Sequence, residues 1–248
     1  MQLHLLGTGG YHPSEERHTA CLMVPELGII LDAGTSFFRV AEHIATDTLD
    51  IFLTHAHLDH VAGLTYLLDI LHGRKMNRVT VHAQPSKLDG VARHLFSQVL
   101  FPVEPPFETR PLVEGNPVAL PGRGTLAHFP LVHPGGSVGF RLDWPDCSVA
   151  YVTDTTATAD SDYIEIIQGV DVLIHECYFP DGHEDIAKLT GHSCLTPVAK
   201  LAKAADVGRL ILVHVNPLAT PAEVRKLESA REIFPALEVG FDKMVVEL

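Results

Sequence analysis

Short apolar runs that end in turn residues alternate along the chain with stretches whose apolar positions recur every three to four residues. The first pattern reads as buried strands and the second as helices with one buried face. Residues 2–6, 21–24, 29–32 and 50–54 are strands of this kind; Gly7, Gly9 and Gly10 stop the first, and Ala33-Gly34 the third. Val61, Leu64, Leu67, Leu68 and Leu71 fall on one helical face. Residues 79–82 form another strand, and Ser86 is placed to cap a helix running toward Leu100. Six prolines between Phe101 and Pro121 make that stretch an extended connection with an edge strand. Strands follow at 126–132, 138–142 and 149–153, then a helix at 163–168, a strand at 172–175, a helix at 196–205, a strand at 210–213 and a helix at 221–234. No fixed repeat, low-complexity tract or linker interrupts this order, so a single domain over 1–248 of the α/β class is expected.

Composition removes several function classes. The formal net charge is −13, whereas proteins that grip nucleic acid carry a basic footprint, so a large nucleic-acid substrate is not expected. No apolar run reaches the roughly 18–20 residues of a membrane helix. The first residues read directly as a strand, with no basic segment ahead of an apolar one, so a soluble cytoplasmic protein is expected, with no membrane partner. Cys21, Cys147, Cys177 and Cys194 form no C-x-x-C pair and read as reduced thiols. The unusual count is 16 histidines, and their positions point to metal.

The strongest signal is His55-Ala56-His57-Leu58-Asp59-His60, which follows the apolar Ile51-Phe52-Leu53. Imidazole and carboxylate suit zinc and other borderline divalent ions. In extended chain His55 and His57 point the same way and can share one ion. As the chain turns into a helix, Asp59 and His60 swing aside and can hold a second. Chance placement produces this pattern about once in two hundred such sequences, too rarely for a solvated turn to be the better reading. Two ions need more ligands, expected at the ends of other strands. His133, Asp154 and His214 each end an apolar strand and open a turn.

This series resembles the ligand set of the metallo-β-lactamase superfamily, and the likeness runs from Leu6-Gly7-Thr8-Gly9 and Leu31-Asp32-Ala33-Gly34 to His214. The resemblance implies a four-layer αββα sandwich with the metals at one edge between two sheets. It assigns His55, His57 and His133 to one ion and Asp59, His60 and His214 to the other, with Asp154 bridging. Gly139-Phe140-Arg141, Tyr151-Val152-Thr153-Asp154-Thr155 and Gly191-His192-Ser193 resemble more closely the tRNase Z and phosphodiesterase branch, in which the histidine matching His192 assists the leaving group. Only 21 positions separate His133 from Asp154, which leaves no room for the long tRNA-gripping arm of that branch.

The expected activity is therefore a dinuclear metal-dependent hydrolase acting on a small anionic phosphodiester. Zinc is the first choice of metal, and manganese or iron would accept the same donors. A hydroxide shared by the ions would attack phosphorus in line, and His192 would protonate the departing alkoxide. Asp59, His192 and Glu176 are the expected catalytic residues, with Glu176, at the end of 172–175, orienting His192 or a ligand. Asp32 is expected to support the metal-binding loops by hydrogen bonds. Residues 10–19, 101–110 and 179–191 are candidate pocket walls. His12, His18 and His183 lie in loops that could line a pocket, and Arg17 and Arg141 could meet an anion, although ordinary salt bridges suit both arginines better. A homodimer is compatible with the sequence. Competing readings are a carbon-ester or lactone hydrolase of the same superfamily, a tRNA 3′-processing endonuclease, and a metal-binding accessory protein without turnover. His57 stands where a diiron flavoprotein of this fold would carry a carboxylate, which favours hydrolysis over redox chemistry.

Overall fold

In the computed structural model, which describes residues 1–248, the chain forms two compact units, each built on one seven-stranded sheet. The first unit comprises Met1–Val113 and Phe241–Glu247, the second Glu114–Gly240. The first unit contributes β1 (Gln2–Gly7), β2 (Cys21–Val24), β3 (Ile29–Leu31), β4 (Thr48–Phe52), β5 (Arg78–Ala83) and β6 (Glu108–Pro111). The second contributes β7 (Val118–Leu120), β8 (Gly124–Leu131), β9 (Ser137–Asp143), β10 (Ser148–Val152), β11 (Val172–Glu176), β12 (Arg209–Val213) and β13 (Leu237–Val239). Strand β14 (Met244–Glu247) returns to the first sheet.

Both sheets are mixed. The first runs β14-β1-β2-β3-β4-β5-β6, antiparallel as far as β3 and parallel from β3 onward. The second runs β13-β12-β11-β10-β9-β8-β7, parallel from β13 to β10 and antiparallel beyond. In the first sheet β1, β3 and β4 therefore point one way. In the second, β8, β10, β11 and β12 do. The carboxyl ends of such strands are where open α/β sheets place their ligands.

Each sheet buries one apolar face under its own helices. In the first unit Met23, Ile30, Ile51 and Val81 pack with Phe37, Leu64, Leu67 and Val91. In the second Ala150, Leu173 and Leu210 pack with Ile167, Val198, Leu201 and Leu227. The helix expected across Val61–Leu71 is broken into Leu58–Val61, a tighter turn at Ala62–Tyr66, and Leu67–Ile70. Gly63 is the cause: its N–H donates to the Ala33 carbonyl at 2.7 Å, and a Cβ there would lie 2.4 Å from the Gly34 oxygen. The helix expected to be capped by Ser86 starts two residues earlier, with Gln84 as N-cap and Pro85 at its first position. The proline-rich stretch supplies two edge strands, β6 and β7, one to each sheet.

A polar network lies on the first sheet. Asp50 on β4 accepts two bonds from Arg78 at 2.7 Å and one from His82 Nε2 at 2.8 Å. The His82 ring stacks on Phe52 with centroids 4.4 Å apart. Burial alone would raise the Asp50 carboxyl, but the bonds and charges of Arg78 and His82 outweigh it and hold the group well below the usual carboxylate range. The unfolded chain then takes up this proton before the folded one does. The pair's stabilisation is complete above the ordinary carboxylate pKa and fades as pH falls below about 4. Asp50→Asn is expected to lose about 1 kcal/mol at neutral pH, a figure kept low because solvent reaches Arg78, and to show a flatter acid limb in urea unfolding followed against pH.

Candidate functional site

In the first unit the chain leaves β4 at Phe52, two residues earlier than the apolar run suggests. The Leu53 N–H still bonds to the His82 carbonyl at 2.9 Å, but Thr54 turns to Asp32. Asp32, just past β3, has φ 60°, in the left-handed region that aspartate tolerates better than most residues. Its buried carboxylate accepts from the Thr54 N–H at 2.8 Å, from the Thr54 hydroxyl at 2.9 and 3.0 Å, and from His60 Nδ1 at 2.8 Å. The Thr54 hydroxyl also lies 3.0 Å from His55 Nδ1. Its single proton goes to the carboxylate, so His55 Nδ1–H donates to it. One aspartate thus fixes two histidines in the tautomer that presents Nε2.

Asp59 and His60 follow on the short helix Leu58–Val61. Asp59 Oδ2 accepts the Tyr11 N–H at 2.9 Å from the loop after β1, and lies 3.5 Å from His60 Nε2. The rings of His55 and His57 meet edge to face with centroids 4.5 Å apart, and those of His55 and His60 lie 4.2 Å apart, tilted at 46°. Asp59 and His57 open onto a cavity of about 770 Å³ that Tyr11, His12, Ala56 and Leu58 also line.

The second unit builds a matching constellation. Asp154 follows β10 and His214 follows β12, with φ of 52° and 55°. Non-glycine residues held in that region collect at functional sites, where the surrounding structure enforces them. His133 lies beyond β8, with Nδ1 donating to the Gly191 carbonyl at 2.9 Å. Burial lowers the His133 pKa from its ordinary value, against the opposing pull of Asp154 and of that carbonyl, which favours the neutral ring with its lone pair on Nε2. The two Asp154 oxygens face different histidines, Oδ1 at 3.3 Å from His214 Nε2 and Oδ2 at 3.5 Å from His133 Nε2.

These separations test whether the residues suit a metal. They are long for N–H···O bonds, whose usual length is about 2.9 Å. They match the spacing of about 3.3 Å between two donors on a tetrahedral ion with bonds of 2.0–2.1 Å. The Nε2 atoms of His55, His60 and His133, whose Nδ1–H groups are already committed, are donors fit for a divalent cation, as are the carboxylate oxygens of Asp59 and Asp154.

Beside this cluster, Glu176 ends β11 fully buried. Its Oε1 accepts the Thr155 N–H at 2.8 Å and His192 Nδ1 at 3.0 Å, and its Oε2 accepts the Ser193 N–H at 3.2 Å. The His192 ring is close to parallel with that of Tyr178, at 4.8 Å and 19°, and with that of His214, at 5.2 Å and 25°, and the Tyr178 and His214 rings themselves lie 5.7 Å apart, so the three rings form one cluster. Glu176, His192 and His214 present their ligand atoms within 4.8 Å of one another. The segment before His192, expected as a loop, holds the helix Glu184–Thr190, closed by Gly191 at φ 74°. A Cβ on Gly191 would lie 2.3 Å from Pro134 and 2.7 Å from His133 Nδ1, so the site needs glycine there.

The remaining candidates have other duties. Arg141 pairs with Asp143 and donates to the carbonyls of Ile166 and Gln168. Arg17 donates to the Thr8 hydroxyl at 2.5 Å, and Asp242 accepts from the Thr8 and His18 N–H groups, tying down the loop after β1. His183 stacks with Phe179. Sequence reasoning missed Thr54, the link from Asp32 to His55, and Tyr178, the platform under His192. Nothing local marks either, whereas the acidic start of 184–190 followed by Gly191 was a readable helix signal.

Comparison with known proteins adds the context. The family described as "Beta-lactamase superfamily domain" matches residues 28–215, a span that holds every residue of the two clusters. The Ribonuclease Z of Methanopyrus kandleri is 28% identical over 279 residues, covering 99% of this chain and 97% of that protein. Among solved structures, the metallo-beta-lactamase fold protein YhfI from Bacillus subtilis matches with a TM-score of 0.82 at 18% identity, covering 99% of both chains. Human tRNase Z, short form, matches at 0.78 and 22% identity, covering 100% of this chain and 99% of that one.

Proposed function

The chain belongs to the beta-lactamase superfamily and has its four-layer αββα fold, and from that premise we propose that this metal-dependent hydrolase is a phosphodiesterase acting on a small phosphodiester. In this reading His55, His57 and His133 hold one divalent ion and Asp59, His60 and His214 a second, with Asp154 serving both. Such ions supply an activated water and positive charge for the phosphoryl oxygens. Zinc fits the donors, and so do manganese and iron.

The observation that carries the reading is the Glu176–His192 pair. A histidine whose Nδ1 is held by a buried carboxylate, and whose face rests on Tyr178, has its Nε2 fixed in direction. That arrangement suits proton delivery to a poor leaving group such as the alkoxide of a phosphodiester. Glu176 positions the ring and does not itself need to touch substrate. Smallness of the substrate is supported by the segment between His133 and Asp154. A glycine turn, β9, a tight turn and β10 use all of it, and β9 and β10 pair as an antiparallel hairpin. The net charge of −13 also disfavours a polyanion.

A second reading, tRNA 3′ processing, draws on the name Ribonuclease Z carried by relatives aligned over nearly their full length. The two separate in one experiment. Zinc-loaded protein is expected to turn over bis(p-nitrophenyl) phosphate and small alkyl or cyclic phosphodiesters, and to leave a tRNA precursor uncut. Cleavage of the precursor alone, with binding that falls steeply with salt, moves the reading to tRNA processing. Turnover of a lactone or thioester with no diester activity moves it to carbon esters.

A further inference from the structure

Beside His57 and Asp59 lies a second, apolar cavity of about 210 Å³, walled by Leu58, Val61, Val91, Leu95 and Leu100. It shares Ala56 and Leu58 with the larger cavity onto which His57 and Asp59 open, so both cavities border the loop that carries the proposed metal ligands. Leu58, set between two of the proposed ligands, is 71% exposed, and Leu100 is 70% exposed. Val61 and Val91 form a buried floor. His94 is the one polar side chain on the wall, and no arginine or lysine reaches it. The backbone is unusual here as well. After Pro85–Gly90 the helix widens into a π-helical turn over Val91–Leu95, a rare conformation that is frequent at functional sites, and this turn carries Val91, His94 and Leu95 to the cavity.

We propose that this cavity is a substrate subsite that takes a ring-sized apolar ester group while the phosphoryl group sits at His57 and Asp59. The inference rests on the phosphodiesterase reading above and narrows its substrate to diesters with one aryl or cycloalkyl arm. The volume suits a single ring, since an apolar cavity of about 150 Å³ already accepts benzene. A wall without cations has nothing to offer a second phosphate, and a sugar or base edge would leave its hydrogen bonds unmade.

Gly90 supplies the test. It has helical backbone angles, φ −60° and ψ −46°, and a Cβ placed on it meets nothing within 4 Å. Gly90→Leu should therefore fold, and its side chain would fill the cavity. Leu100→Ser strips the opposite wall and serves as a second variant, with thermal melting as the check on folding. The probes are phenylphosphonate and methylphosphonate, titrated calorimetrically into the zinc-loaded protein. Phenylphosphonate is expected to bind at least about 10-fold more tightly than methylphosphonate, and both variants should shrink that ratio to within about 3-fold. Equal binding of the two probes by the unmodified protein, or a ratio that Gly90→Leu leaves unchanged, overturns the proposal. Because neither probe is cleaved, the ratio decides the subsite even if diester turnover fails and the phosphodiesterase reading falls.

Discussion

Asp154→Ala is expected to lower turnover by at least about 10³-fold and to lower the bound metal at the same time. No other residue of the second unit faces two of the proposed ligands with separate oxygens, Oδ1 toward His214 and Oδ2 toward His133. In the proposed centre its removal would take a donor from each ion, and it leaves two buried imidazoles without the negative charge that would gather a cation. Thr153 donates to Oδ1 at 2.7 Å and loses its partner too. The backbone itself should survive, because alanine in place of aspartate at φ 52° adds strain but no bulk. Metal analysis after dialysis and initial rates in excess zinc read the two effects separately. Full metal content with only a few-fold loss of rate would remove Asp154 from the centre. Asp154→Asn should recover part of the metal but little of the rate, since the amide keeps the shape and loses the charge.

His192→Ala should behave differently. The metal content is expected to stay, while kcat on an alkyl phosphodiester falls by about 10²–10⁴-fold, the usual range for a lost general acid. The diagnostic is leaving-group dependence. An alkoxide departs with difficulty unless protonated, whereas p-nitrophenolate departs unaided. The defect should therefore shrink to about 10-fold or less on bis(p-nitrophenyl) phosphate. An equal loss on both substrates would make His192 a structural or substrate-binding residue. Glu176→Gln should show the same leaving-group pattern with a smaller loss, about 10–100-fold, because its effect passes through the orientation of His192. Tyr178→Phe keeps the ring stacked on His192 and should change little.

The site was legible in the sequence to the extent that its signals were local. His55-x-His57-x-Asp59-His60 lies on consecutive residues at the end of one strand, and strand-to-turn geometry alone sorts it into pairs. His133, Asp154 and His214 could be picked out because each ends an apolar run, and the topology explains why that works: β8, β10 and β12 share one direction in their sheet. Asp32 could be guessed for the same reason. Thr54 and Tyr178 could not. The role of Thr54 depends on Asp32 arriving from a neighbouring strand, and that of Tyr178 on a ring fourteen residues further along. The strands missed were β13 and β14, of three and four residues, and one of the two short edge strands in the proline-rich stretch. Segments that short have too few alternations to show a period, and the pairing of β13 and β14 with β12 and β1 is set by the rest of the fold. The helix over Val61–Leu71 was overcalled because apolar spacing does not register that Gly63 is pressed against the backbone of Ala33 and Gly34.

The central claim is that seven side chains drawn from two sheets grip a pair of cations. Anomalous diffraction at the zinc edge, from crystals of the zinc-loaded protein, tests it most directly. Two peaks are expected about 3.5–4 Å apart, one contacted by His55, His57 and His133, the other by Asp59, His60 and His214, with Asp154 reaching both. A single peak, or peaks held by residues of one unit alone, would contradict it.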